Sequence, residues 1–440
     1  MPKKKISSTL ESADQHAVSI KDLPWQISLF LLALIIPTEA SFNVGEFRLT
    51  VYRLILLLFF FPCFLRVIKG QCGRVMPTDW LLMGYSLWMI MALSIHNGVS
   101  TGLKSGGILV VESYGSYLLA RSFIRGELDY CRFVKCFLLV VIGLSLVTIP
   151  EALTGKNLLR PHVGSIGGRL GLTRAFGPFD HPIAYGMFCA SAFSLALYVN
   201  GLNILGRGSQ KLRAAWVVAA AFMSVSSGAL ANVLVQLILA VWNRVTKGMA
   251  DKWRLFTFLL VCVYIFIDLM SNRTPMRVIL HRLTFSAETA YNRLIIWEWG
   301  TKHNVAQNPW FGIGFAEWTR PSWMHSTSMD NFWLVNMVRY GLPSFLLLAA
   351  GGLLLMYAVK QQTNLTESAK LMRTGWGFSM IGLIIAGCTV HFWNSLHVWF
   401  FFMLGSGAWM ATQGKDEIGE QKSHQRRGRR RKTQVSPEMS

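Results

Sequence analysis

The sequence predicts an all-α, polytopic membrane protein of about twelve transmembrane helices, with both termini cytoplasmic and two long outer loops. Three observations predict it. Of the 440 residues 52% are hydrophobic, about 229, which nearly fills twelve spans of roughly 20 residues, the length of helix that crosses a hydrocarbon core. Only 15% are charged and the mean hydropathy is +0.39, so a soluble enzyme is nearly excluded and little remains for a separate soluble domain. Finally, the basic residues collect in alternate loops, as they do in a chain threaded through a membrane.

A segment in lipid must satisfy its own backbone hydrogen bonds, so each apolar run reads as a helix. The runs begin near Leu23, Leu49, Trp80, Gly106, Phe133, His181, Ala214, Ala229, Leu255, Phe332, Met372 and Leu396. The first follows Lys3, Lys4, Lys5 and Lys21 with no small-residue cleavage site after it, and reads as an uncleaved signal anchor. The expected organisation is an N-terminal tail over 1–22 and a membrane domain over 23–412 with outer loops at about 153–180 and 272–331. A basic tail follows over 413–440.

Placing the N-terminus in the cytoplasm puts 29 of the 43 Lys and Arg on that side, while the short outer loops carry only Arg48 and Lys104. Arg53 and Arg339 fall inside helices. The remaining outer cations are Lys156, Arg160, Arg169 and Arg174 in the first long loop, and Arg273, Arg277, Arg282, Arg293, Lys302 and Arg320 in the second. Any one of them reads as solvated loop surface; ten together read as an anion site. Eight of the ten histidines also map to the outer half, as a proton-handling site or an aromatic belt would place them. The net charge of +21 would suggest nucleic acid in a soluble chain. Here the tail cluster from Arg426 to Lys432 reads as an anchor to anionic lipid. The seven cysteines are odd in number and show no paired metal spacing, so neither a disulfide framework nor a zinc site is indicated.

Three stretches carry chemistry. GSIGGRLGLTRAFGPFDHPIAYG, from Gly164 to Gly186, combines turn glycines with Arg169, Arg174, Asp180 and His181 at a helix entrance. Arginine there supplies the forked donors that suit phosphate. YNRLIIWEWGTKHNVAQNPWFGIGF, from Tyr291 to Phe315, suggests an amphipathic surface helix with Arg293 at its start and a Gly312, Gly314 turn after it. HSTSMDNFWLVNMVRYGLPS, from His325 to Ser344, leads into a helix; Asp330 and Asn331 read either as an ordinary cap or as part of a site. Within the spans Arg53 and Glu112 read as a pair, since a lone charge in lipid is costly.

Together these stretches resemble the O-antigen ligase and lipid-linked polysaccharide polymerase family of bacterial inner membranes. RAFGPFDHP resembles its Arg, Gly, aromatic, His/Asn-Pro signature, and RLIIWEWG with NPWFGIGF its Arg, Trp, Pro, Gly-X-Gly segment. DNFWLVNMVRYGLPS has the spacing of the ligase motif, with nine residues between Asn331 and Gly341. Departures favour a polymerase of exopolysaccharide, capsule or O-antigen repeats over a ligase acting on lipopolysaccharide core. The ligase His is Asp330 here, the second motif glycine is Ser344, and a Ser-Arg-Gly segment reads Ser226, Ser227, Gly228.

The resemblance implies a multi-pass inner-membrane glycosyltransferase that needs no metal and no cofactor. It would transfer a glycan from a polyprenyl-diphosphate carrier to a sugar hydroxyl of another lipid-linked repeat at the outer face. Arg174 and Arg293 would stabilise charge on the leaving diphosphate, and Arg160, Arg169, His181 and Asn331 would bind substrate. The base would be Asp330, favoured by its motif position, or His325, favoured by a reference pKa of about 6.5 against about 4. The expected partners are the lipid-linked donor and acceptor, membrane lipid, and the chain-length regulator and export proteins of such a system, with no nucleic acid. Two other classes compete: a flippase or exporter of lipid-linked sugars, which would show more polar spans and internal repeats, and a scaffold that recruits export proteins through the basic tail.

Overall fold

A computed structural model describes residues 19–204, 209–272, 274–275, 277–278, 287–324 and 326–412. The basic tail and His325 lie outside the described residues.

The chain opens with α1 (Trp25–Leu34), a hairpin of β1 (Ser41–Val44) and β2 (Phe47–Thr50), α2 (Val51–Ile68) and α3 (Pro77–Asn97). Next come α4 (Val99–Val110) and α5 (Ser116–Phe123), joined through a wider π-helical turn at Val111–Gly115, and α6 (Glu127–Thr154). A second small hairpin, β3 (Gly168–Arg169) with β4 (Leu172–Thr173), precedes α7 (Pro182–Ala190) and α8 (Phe193–Tyr198). The chain continues through α9 (Gln210–Phe222), α10 (Ser227–Val245), α11 (Lys252–Met270), α12 (Ala287–Trp299), α13 (Phe332–Tyr340) and α14 (Leu342–Gln361). It closes with α15 (Glu367–Ala386), α16 (Asn394–Ser406) and α17 (Ala408–Thr412).

The protein is mostly helical and multi-pass. Among the described residues α2, α3, α6, α10, α11 and α14 are long and apolar enough to cross a membrane, and α1 and the α7–α8 segment are shorter apolar helices. α16 marks the centre: every residue from Ser395 to Ser406 is buried, and Trp399 packs at a tilt against Phe137 and Phe188 with centroids 4.5 and 4.7 Å away. A helix apolar on all sides belongs inside such a bundle. α11 is its opposite, apolar and with none of its residues buried, a surface suited to lipid.

Two interruptions shape the interior. Between α7 and α8 the helical ladder breaks, and Gln236 of α10 repairs it: its amide accepts from Ser194 N at 3.0 Å and donates to Ala190 O at 2.9 Å. Free backbone groups inside a membrane bundle must find such partners. The run expected as one helix from Phe332 divides at Gly341, where φ is +84°; any Cβ there would collide with the Trp310 carbonyl. The NPWFGIGF turn packs on this break. Ile313 N donates to Val338 O at 2.8 Å, Gly314 N to Arg339 O at 3.0 Å, and Leu342 N to Pro309 O at 2.7 Å.

Two ion pairs lie inside the bundle. Arg53 Nε donates to Glu112 at 2.8 Å, the expected partner, and Tyr52 adds a hydrogen bond of 3.1 Å. Arg121 and Asp79 meet at 3.0 Å near the opposite ends of α5 and α3. Several basic residues counted above as topology markers also cap helices. Arg213 donates to Ala196 O and Val199 O at the end of α8, and Arg373 to Gln362 O after α14. Cations suit helix C-termini because the last carbonyls carry partial negative charge.

Candidate functional site

The three stretches come together at one end of the bundle. There Thr38, beyond α1, donates to Asp180 Oδ1 at 2.5 Å, and Asn394 of α16 donates to Asp180 Oδ2 at 2.8 Å. Phe332 N donates to Gly387 O and Val390 O at 2.8 and 3.1 Å, joining the start of α13 to the loop between α15 and α16. Asn97 at the end of α3 accepts from Phe315 N at 3.1 Å.

Local chemistry places each side chain. Leu170 and Gly171, both at positive φ, form the two-residue turn between β3 and β4, so Arg169 and Arg174 flank one tight hairpin. His181 is the N-cap of α7, its Nδ1 accepting from Ile183 N at 3.1 Å. Arg293 lies in the middle of the described α12 rather than at its start. Beside it Ile295 and Ile296 sink into a small separate core with Trp318, Met329, Leu334 and Met337. Asn331, rather than Asp330, caps α13: its Oδ1 accepts from Leu334 N at 2.9 Å. Asp330 is thereby free of the cap, and it accepts from Ser328 Oγ at 2.7 Å.

Charge sets these residues apart. Among the described residues Arg169, Arg174 and Arg293 form no ion pair, and the Nε atoms of Arg174 and Arg293 are buried without a hydrogen-bond partner. Burial pulls the Arg293 guanidinium below its ordinary value, with the Asp330 carboxylate opposing and the Arg169 charge adding. Burial does the same to Arg174, and Arg169 adds again. The His181 imidazole falls to about 4, through burial and then the Arg174 charge, against Asp330. Arg169 is therefore felt by both motif arginines, and Asp330 by both Arg293 and His181. Of the three guanidinium groups only Arg293 feels the Asp330 carboxylate, which leaves positive charge for an anion to neutralise.

Arg160 has a different place. Its side chain is buried, donates to Phe179 O at 2.6 Å and pairs with Glu39, with Asp180 at 3.8 Å. Phe179 and Asp180 belong to the loop itself and Glu39 to the turn between α1 and β1, so Arg160 ties the loop to that turn behind the cationic group.

Arg293 also lines two cavities. One of about 440 Å³ runs between α13, α14, α15 and α16; beyond Arg293, Asn331 and Thr389 its wall is dominated by apolar and aromatic side chains such as Trp297, Trp333 and Phe400. A narrower one of about 140 Å³ opens between α10 and α15, past Ser227, Gly228 and Ala386. A half-buried guanidinium lining an apolar cavity suits an amphiphile with an anionic head. No group of three His, Cys, Asp or Glu among the described residues could hold a metal ion.

One neighbour escaped sequence reasoning. His391, in the loop between α15 and α16, belongs to no motif, yet it lies beside Val390, which accepts from Phe332 two residues after Asp330. Its ring and that of His181 sit on Trp393, with centroids 5.7 and 5.9 Å from the indole. Burial brings the His391 imidazole to about 4, with Asp330 opposing and Arg339 adding. Compared with protein-family models and with curated proteins the chain matches none, so the family likeness rests on the motifs themselves.

Proposed function

We propose that this protein is a membrane glycosyltransferase of the polymerase type. It moves a glycan from a polyprenyl diphosphate to a sugar hydroxyl of a second lipid-linked repeat. The fold crosses a bacterial inner membrane about twelve times, with both termini cytoplasmic and the cationic end outside. The observation that carries this reading is Arg293, which shares the field of Asp330 and Arg169 while lining an apolar cavity of about 440 Å³. A lipid diphosphate needs both features, forked donors for the head and apolar walls for the tail.

As the bond from the anomeric carbon to the diphosphate breaks, negative charge grows on the phosphate oxygens. Arg174 and Arg293, already desolvated and unpaired, stabilise it without reorganisation. Asp330, freed from the helix cap, faces the acceptor side. The decisive test is the lipid-linked glycan ladder in a strain lacking the gene. A single repeat per lipid identifies a polymerase; long lipid-linked polymer identifies a ligase; an unchanged ladder overturns the reading.

A further inference from the structure

We propose that His391 is the proton acceptor of this transfer, a catalytic residue that the motifs do not contain and that Asp330 orients. The inference rests on the glycosyl-transfer reading above and names the group that completes it.

Four observations carry it. The α15–α16 loop is fastened beside Asp330, because Phe332 N donates to both Gly387 O and Val390 O, on either side of Cys388 and Thr389, which line the large cavity. His391 follows directly. Its Nδ1 is buried and has no hydrogen-bond partner among the described residues. A neutral imidazole has one donor and one acceptor nitrogen, and a buried acceptor left without a partner is costly unless a ligand supplies one.

The other imidazole at the site is already committed. His181 Nδ1 accepts the Ile183 N–H as the cap of α7, so in its neutral form the remaining nitrogen carries the proton and can only donate. Of the two rings on Trp393, only His391 has an acceptor to offer. Asp330 already accepts the Ser328 hydroxyl at 2.7 Å. Paired with an imidazole it does what a carboxylate does best, holding the ring and stabilising the imidazolium once it forms.

The charged neighbours of His391 explain when it acts. Asp330 at the entrance to α13 favours its protonation, while burial and Arg339 oppose it, and His397 of α16 lies within its field. Burial keeps the ring neutral, as a base must be. A bound diphosphate adds negative charge on the same side as Asp330 and raises the proton affinity of the ring during turnover. In the step itself the acceptor hydroxyl oxygen bonds to the anomeric carbon, and the bond from that carbon to the diphosphate oxygen breaks. The electron pair leaves on the diphosphate. The hydroxyl proton passes to His391 and is then released to the diphosphate or to water.

The test uses the full chain in lipid nanodiscs with a polyprenyl-diphosphate-linked oligosaccharide, measuring donor binding and single-turnover elongation separately. His391→Gln should slow elongation by about 100-fold or more while donor binding changes less than threefold. His391→Gly should be equally slow, and imidazole added to the buffer should restore its rate at least tenfold, which no packing role would produce. Elongation by His391→Gln within threefold of wild type, or a His391→Gly rate that imidazole leaves unchanged, overturns the proposal. Wild-type protein that binds donor and elongates alongside an equally active His391→Gln sinks this inference alone. Wild-type protein that binds no donor sinks the functional reading with it.

Discussion

Glu151, in the last turn of α6, accepts the backbone N–H of Gly177 at 2.9 Å. The same carboxylate takes the N–H of Phe176 at 3.0 Å and the Asn157 amide at 3.1 Å, while Ala175 N donates to Met223 O at 3.0 Å. Every residue from Ala175 to Gly177 is thus tied to a helix end, and Arg174 enters the site from a pinned backbone. Glu151→Ala strands two buried N–H groups, each worth about 1–3 kcal/mol, and should lower the unfolding temperature and weaken donor binding together. Glu151→Gln keeps an acceptor oxygen and should lose less of both. Thermal unfolding in detergent and donor titration check the pair.

Lysine in place of Arg174 or Arg293 keeps the charge but loses the planar fork. Each change should weaken polyprenyl-diphosphate binding by roughly 10 to 100-fold, the value of a charge-assisted hydrogen bond or two, with stability unchanged. Arg160→Lys should do the reverse, since its partners are Glu39 and the Phe179 carbonyl. It should destabilise the loop, seen as faster proteolysis at 155–180, and reach binding only through that loss.

At the far end of the bundle Arg121 and Asp79 are 1% and 3% exposed and 3.0 Å apart, with Tyr117 donating to the carboxylate at 2.7 Å. Arg121→Met leaves a buried carboxylate uncompensated and should cost about 3–5 kcal/mol. Adding Asp79→Leu should recover much of that. A thermal-unfolding double-mutant cycle measures the coupling.

Burial lowers both His181 and His391 to about 4, so the folded site holds fewer protons than the unfolded chain between that value and about 6.5. The stability these neutral rings contribute is complete above pH 6.5 and is lost as pH falls toward 4. Unfolding curves across this range should show the fall, and His181→Gln should make it shallower.

The basic tail beyond Lys415 belongs, in the proposed topology, to the side opposite the chemistry. Deleting it should leave glycan transfer near wild type while reducing binding to anionic vesicles, by roughly 1 kcal/mol for each basic residue removed. Vesicle co-flotation alongside the elongation assay separates the two effects. Loss of transfer by well-inserted truncated protein would contradict the topology.

Helical segments were legible in the sequence because a backbone in lipid has few alternatives, and runs such as Val51–Ile68 and Lys252–Met270 are set by composition alone. The pairing of Arg53 with Glu112 was legible for the same reason, since neither charge could stay single at that depth. The grouping of Arg169, Arg174 and Arg293 could be expected from their types and loops. Local signals could not choose between Asp330 and Asn331 as the cap of α13, because both residue types serve there; packing decided for Asn331 and released Asp330. Nor could they foresee that Arg160 turns inward to Glu39, that the helix from Phe332 breaks where Trp310 crowds Gly341, or that Val390, next to His391, takes the N–H of Phe332, two residues after Asp330. Helix formation depends on neighbours within a few residues, whereas a site at the mouth of a bundle is assembled by which helix ends meet, and only the tertiary packing determines that.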